Sequence, residues 1–194
     1  SGDVERYEIP GFKIEQELGR GGFGVVYRAF DETLQRSVAI KIPLLNDAKS
    51  RSRYLTEARN AAKVEVAGIV PVLQVGSTND GIPFVVQKLI DGKSLAQILK
   101  AGAQISPRQV AVMMIDVCHA LGAAHAESLI HRDLKPGNIM VDKKGKPWVT
   151  DFGLAITEEE QDQRRGEIAG TPSYMSPEQL EGKVDWCDGR TDIW

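Results

Sequence analysis

Cysteine is nearly absent: the 194 residues hold 2, Cys118 and Cys187, far apart and in no metal-ligand spacing. Neither a disulfide framework nor a zinc site organises such a chain, and a reducing, cytoplasmic setting is the default expectation. Charge of one sign is also lacking. Lys and Arg number 24 against 27 for Asp and Glu, a formal net charge of -3, so nothing in the overall balance draws the chain to nucleic acid or to an anionic membrane. No run is expected to reach the roughly 20 apolar residues of a membrane helix. The acidic opening Asp3-Val4-Glu5 has neither the basic nor the apolar region of a secretory leader. Internal repeats and low-complexity tracts are absent too.

What is present fits a globular protein: 42% hydrophobic and 26% charged residues, enough to bury a core. The pattern changes character about halfway, which implies two unlike lobes. In the first half, Phe12 to Leu18, Phe23 to Phe30, Ser37 to Ile42, Val70 to Val75 and Ile82 to Gln87 read as strands of a mostly antiparallel sheet, split by Gly-rich or polar turns. One helix interrupts them over Ser50 to Val64, with Tyr54, Leu55, Ala58, Ala61 and Ala62 at three- and four-residue steps. In the second half, Ser106-Pro107-Arg108-Gln109 carries an N-cap serine, a proline in the first turn and a capping-box glutamine. A long helix follows through Val110, Met113, Met114, Val117, Leu121 and Ala124, with Cys118, Met113 and Met114 assigned to its packed face. Two short strands, Ile139 to Val141 and Trp148 to Thr150, come next, each flanked by a polar cluster.

Those clusters and two glycine- and lysine-bearing segments could do chemistry. Gly19-Arg20-Gly21-Gly22-Phe23-Gly24 matches G-x-G-x-x-G, where missing side chains let backbone amides approach phosphate oxygens. A dinucleotide fingerprint would run into a helix. Here Val25-Val26-Tyr27 favours a second strand, so the segment reads as a hairpin lid over phosphates or as a plain Gly-rich hairpin. Lys41 lies in the apolar strand Val38-Ala39-Ile40-Lys41, where an ammonium needs an anion or an escape to solvent. Glu57, on the helix covering this sheet, is the candidate partner. His131-Arg132-Asp133-Leu134-Lys135-Pro136-Gly137-Asn138 packs a proton acceptor, two cations and a hard oxygen ligand into one loop, and Asp151-Phe152-Gly153 offers a second oxygen ligand at a strand end.

Taken in order, these segments resemble the signature set of the serine/threonine protein kinases, with Ser176-Pro177-Glu178 in place of A-P-E. The style is similar to bacterial members. The resemblance implies an α+β fold of two lobes: residues 1–88 an antiparallel sheet plus one helix, residues 89–194 a mainly helical lobe. Arg190-Thr191-Asp192-Ile193-Trp194 looks like the start of the family's central helix, whose Asp ties down the catalytic loop, so that second lobe is expected to be partial. The implied cofactors are ATP and Mg²⁺. Gly19, Gly21 and Gly24 would cover the phosphates, Lys41 would touch them, and Glu57 would hold Lys41. Val26, Ala39 and Met140 would sandwich adenine, Gln87 would stand at the gatekeeper position, and the hinge Lys88, Leu89 and Ile90 would bind the base through its backbone.

By the same resemblance Asp133 would orient or deprotonate the acceptor hydroxyl, Lys135 would steady the transferring phosphate, and Asn138 and Asp151 would hold Mg²⁺. His131 and Phe152, with Ala61, look like members of a stack that links helix, sheet and catalytic loop. Arg132 implies control by an anion on the segment after Gly153. The candidates are phosphorylated Thr157, Thr171 or Ser173, or the acidic Glu158, Glu159, Glu160, Asp162 and Glu167. The implied partners are proteins bearing Ser or Thr, with no nucleic acid and no membrane within this chain; a second copy, docking on an exposed face of the second lobe, is a further candidate. The alternative function is a nucleotide-binding but inactive regulatory module. His119, His125, Trp148 and Trp186 are read as packing or surface residues.

Overall fold

The computed structural model describes residues 7–22, 24–63, 65–152, 172–182 and 186–194. It divides into two compact units, Ser1–Lys63 with Pro71–Leu89, and Val64–Val70 with Ile90–Trp194.

The first unit is built on a five-stranded sheet in the order β1-β2-β3-β5-β4, every neighbouring pair antiparallel. Its strands are β1 (Phe12–Gly21), β2 (Gly24–Asp31), β3 (Arg36–Pro43), β4 (Val72–Ser77) and β5 (Pro83–Lys88). Alternation in β2 and β3 sends Val25, Tyr27, Ala29, Val38, Ile40 and Ile42 into one core with Phe84 and Val86. The opposite face carries Val26, Ala39 and Lys41, all half-buried. Helix α1 (Ala48–Ala61) packs on β4 and β5. The Phe84 and Val86 cluster contains no residue of α1, so the helix covers the other face, where Val85 lies opposite Lys41.

Several boundaries differ from expectation, among them the end of β1, at Gly21 rather than Leu18, both ends of α1 and the start of β4. The helix starts before Ser50 because Asp47 is its cap, accepting the Ser50 amide at 2.8 Å, and it ends at Ala61 rather than Val64. Its buried positions are Ser50, Tyr54, Ala58 and Ala61; Leu55 is only half-buried and Ala62 is exposed. Strand β4 begins at Val72, not Val70, because the Val70 amide donates to Val149 in the second unit at 2.8 Å and Pro71 has no amide to give.

The second unit holds β6 (Gly92–Ser94), α2 (Leu95–Lys100), α3 (Pro107–Ala126), β7 (Ile139–Asp142), β8 (Pro147–Val149) and a four-residue helix α4 (Pro177–Leu180). A small antiparallel sheet runs β6-β7-β8. Neither β6 nor α2 was foreseen from sequence, since three residues give no periodicity. Gly92 marks the pairing: a Cβ there would collide with the Val141 carbonyl. Helix α3 carries the anticipated capping box, Gln109 N donating to Ser106 Oγ at 3.3 Å and Ser106 N to Gln109 Oε1 at 2.9 Å. Its core face is Val117, Ala120, Leu121 and Ala124, packed with Ile69, Ile139, Val149 and Phe152.

Two expectations about α3 are corrected. Val110 and Cys118 are exposed, Cys118 off the packed face by one position, and Met113 and Met114 are only half-buried. With 20 residues and a mean hydropathy of 1.2, α3 is also long and apolar enough to cross a membrane by length and composition. It packs towards β8 through Val117, Ala120, Leu121 and Ala124.

Candidate active site

Within the first unit, β1 and β2 form the Gly-rich hairpin, with Gly19 opposite Val26 and Gly21 opposite Gly24. The glycines are there for different reasons. A Cβ on Gly24 would lie 2.5 Å from the Ile42 carbonyl, so the fold itself demands glycine. Around a Cβ on Gly19 or Gly21 there is nothing within 4 Å, so the protein's own packing makes no such demand. Lys41 pairs with Val26 on one side and Val85 on the other, and Ala39 pairs with Gln87, which is buried. Val26, Ala39 and Lys41 thus share one sheet face. Glu57 is half-buried on α1 and accepts from Arg53 Nε at 3.3 Å. Lys88, exposed, ends β5; the first unit closes at Leu89 and the second resumes at the buried Ile90.

In the second unit the loop between α3 and β7 is pinned from several sides. Asp192, with a fully buried side chain, accepts the His131 amide at 2.8 Å and His125 Nε2 at 2.7 Å on Oδ2, and the Arg132 amide at 2.7 Å on Oδ1. This Asp is the one the family resemblance singles out, and it lies in a 3-10 turn, Gly189–Asp192. Arg132 sits in the left-handed region, φ 65°, a conformation that needs such outside support. His131 is buried; its Nδ1 accepts the Asp133 amide at 3.2 Å and its Nε2 lies 2.8 Å from the Thr150 carbonyl. One tautomer, with the hydrogen on Nε2, satisfies both partners. The His131 ring meets Phe152 edge-on, centroids 4.7 Å apart. Ala61 is buried in the first unit.

Asp133 is the centre of this loop. Lys135 Nζ donates to both of its carboxylate oxygens, at 2.9 and 2.7 Å. Asn138 Nδ2 donates to the Asp133 carbonyl at 2.8 Å and to Oδ2 at 3.0 Å. With its nitrogen committed there, Asn138 keeps its side-chain oxygen for another partner. Asn138 is tied to the next strand end, its carbonyl accepting the Thr150 amide at 3.0 Å one residue before Asp151, which is held at φ 67°. Met140 lies on β7, between Ser94 and Trp148. The Arg132 Nε is buried without a hydrogen-bond partner among the described residues. Of the expected anion sources for it, Ser173 is exposed, whereas Thr157, Thr171, Glu158, Glu159, Glu160, Asp162 and Glu167 lie outside the described residues.

Two contributors were not foreseen. His125 reads as a packing residue in sequence yet braces Asp192. Gln179 donates from Nε2 to the Arg132 carbonyl at 2.6 Å. The signal for Gln179 is its spacing from Ser176, the same S-P-x-Q as at Ser106. Beside it, Thr191 donates its hydroxyl to Glu178 at 2.7 Å, which holds the Glu178 carboxyl below its usual range.

Known proteins resemble this chain over most of its length. The family model described as protein kinase domain matches residues 12–194. A probable serine/threonine-protein kinase of Corynebacterium efficiens is 37% identical over 98% of this chain, which spans 29% of that protein. The serine/threonine-protein kinase PknK of Mycobacterium tuberculosis is 38% identical over 89% of the chain, which spans 16% of it. A solved structure, the PpkA-294 apo form, superposes with a TM-score of 0.80 at 25% identity, covering 96% of this chain and 73% of that one. With the pinned Asp133 loop, the glycine hairpin and Lys41 each in place within their own units, the chain belongs to the protein kinase family.

Proposed function

We propose that the protein transfers the γ-phosphate of ATP to serine and threonine hydroxyls of other proteins. The observation that carries this reading is the Asp133 carboxylate held by Lys135 and Asn138 on a loop anchored through its backbone to Asp192. A carboxylate so fixed orients an incoming hydroxyl and takes its proton, and the adjacent ammonium offsets charge that develops on the transferring group. The similarity to bacterial serine/threonine-protein kinases, and a full set of Lys41, Asp133, Asn138 and Asp151, favour this over an inactive nucleotide-binding module.

ATP and Mg²⁺ fit the residues present. Glycine at 19 and 21, with open space where a Cβ would sit, leaves backbone amides accessible to phosphate oxygens. Asn138 and Asp151 are hard oxygen donors. Among the described residues no group of three or more His, Cys, Asp or Glu could hold an ion alone, which suits a metal that draws its remaining ligands from phosphates and water. When bound, the metal–nucleotide pair supplies the phosphoryl group and neutralises its charge. Lys41, held by Glu57, would bind the α- and β-phosphates; Val26, Ala39 and Met140 would enclose adenine, with the Lys88-to-Ile90 backbone as its polar edge.

The buried, unpartnered Arg132 Nε supports control by an anion on residues 153–171 or by phosphorylated Ser173. The exposed Val112 and Ile115 of α3 support a second copy as a partner, and a sequence with only two, widely separated cysteines supports a cytoplasmic setting. The test is incubation with ATP, Mg²⁺ and a basic protein, followed by phosphoamino-acid analysis. Phosphoserine and phosphothreonine are the expected products; phosphotyrosine alone would contradict the reading.

A further inference from the structure

The serine-proline-glutamate-glutamine segment does more than begin a helix. In the capping box of α3, Gln109 Oε1 accepts the amide and hydroxyl of Ser106. In α4, Gln179 Oε1 likewise accepts the Ser176 amide at 3.1 Å and its hydroxyl at 3.3 Å. The carboxamide nitrogen of Gln179 has a second use, the 2.6 Å bond to the Arg132 carbonyl 47 residues earlier. That carbonyl belongs to the same peptide plane as the Asp133 amide, which is bonded to His131 Nδ1. The plane that carries the Asp133 Cα is therefore fixed at both edges, by Gln179 on the oxygen side and by His131 on the hydrogen side.

The bond also closes a ring. The Arg132 amide goes to Asp192, Asp192 follows Thr191, the Thr191 hydroxyl goes to Glu178, and Glu178 precedes Gln179. Two chain segments, 176–179 and 191–192, thus grip one left-handed residue by its N–H and its C=O. Loss of the Gln179 donor leaves a carbonyl with its partner removed and frees the peptide to rotate about Arg132 ψ and Asp133 φ. Rotation there re-aims the Asp133 carboxylate and strains its bonds to Lys135 and Asn138.

We propose that Gln179 is a positioning residue for Asp133: its amide nitrogen fixes the Arg132–Asp133 peptide and so couples the segment beginning at Ser176 to the catalytic loop. The inference rests on the reading of Asp133 as the group that orients the acceptor hydroxyl. A glutamine is the natural side chain for the position, because one end must accept from Ser176 while the other donates to Arg132.

This dual role sets the test. Gln179→Glu keeps an acceptor for Ser176 and suits a capping box, but it turns a second oxygen towards the Arg132 carbonyl. Gln179→Lys keeps a donor and loses the acceptor. Gln109→Glu, at the equivalent place on α3, is the control for capping alone. Expected for Gln179→Glu is an unchanged melting temperature, several-fold faster hydrogen exchange at the Arg132 and Asp133 amides, and a turnover number lower by about 10–100-fold at unchanged KM for ATP. Gln179→Lys should melt lower yet retain turnover within about threefold of the parent, and Gln109→Glu should match the parent throughout. Exchange and turnover in Gln179→Glu equal to the parent, or a loss confined to Gln179→Lys, would overturn the proposal. If the parent protein transfers no phosphate at all, the functional reading fails and amide exchange alone decides the positioning role.

Discussion

At the residue scale the active loop is a set of backbone groups held by side chains from elsewhere. Asp192 satisfies two amides and one imidazole from inside the core, and Arg132 is kept left-handed by that grip. Asp192→Ala would leave all three donors without their acceptor and should cost about 3–5 kcal/mol by urea unfolding, with activity lost in parallel. The glycines separate fold from function at the same scale. Gly24→Ala drives a Cβ into the Ile42 carbonyl and should destabilise the protein by about 2 kcal/mol. Gly19→Ala meets no protein atom within 4 Å, so its melting temperature should hold while KM for ATP rises. Equal melting shifts in the two variants would contradict a lid role for Gly19.

At the element scale, what can be read from sequence depends on how long a pattern persists. Helix α3 declares itself through its capping box and periodicity, and the β2 and β3 strands through strict alternation. Strand β6 and helix α2 are too short to show periodicity, although Ser94 and Gln97 spell a capping box; they exist because Gly92 lets β6 approach Val141 and that box caps α2. The start of β4 was misread because Val70 is apolar and β-branched, yet its amide is committed to Val149. The candidate site was legible wherever chemistry is concentrated in neighbouring residues, as in the His131-to-Asn138 loop. It was illegible where the partner is remote: neither the Gln179-to-Arg132 bond nor the His125-to-Asp192 bond leaves a local trace.

The β7–β8 turn carries a pH prediction at this scale. Asp142 accepts the Trp148 indole at 3.1 Å and the amides of Lys146 and Lys144, and these bonds, Trp148 first, hold its carboxyl below the usual aspartate range. A depressed folded-state value means stability that is present above the unfolded value and lost as pH falls through the folded one. Asp142→Asn should therefore unfold more easily than the parent at neutral pH, and the gap should close in the acid range below the ordinary aspartate value. A gap that persisted undiminished at the acid end of a pH series of melting curves would contradict this.

At the scale of the whole molecule, each of the two units gathers its own set of the candidate site residues. The first presents Lys41, Val26 and Ala39 on the sheet face that α1 covers; the second presents Asp133, Lys135, Asn138 and Asp151 around a braced loop. The order of motifs made the family legible from sequence, because the same residues recur in the same succession; the detailed bracing of the loop was legible only in three dimensions. The central claim is that Asp133 serves the transfer of phosphate from ATP to a protein hydroxyl. Its most direct test compares the protein with Asp133→Asn, measuring Mg²⁺-dependent incorporation of labelled γ-phosphate into a basic protein alongside ATP binding. The expected result is incorporation that falls at least about 100-fold in Asp133→Asn while ATP affinity is retained. Equal incorporation by both proteins, or none by either with ATP still bound, would contradict it.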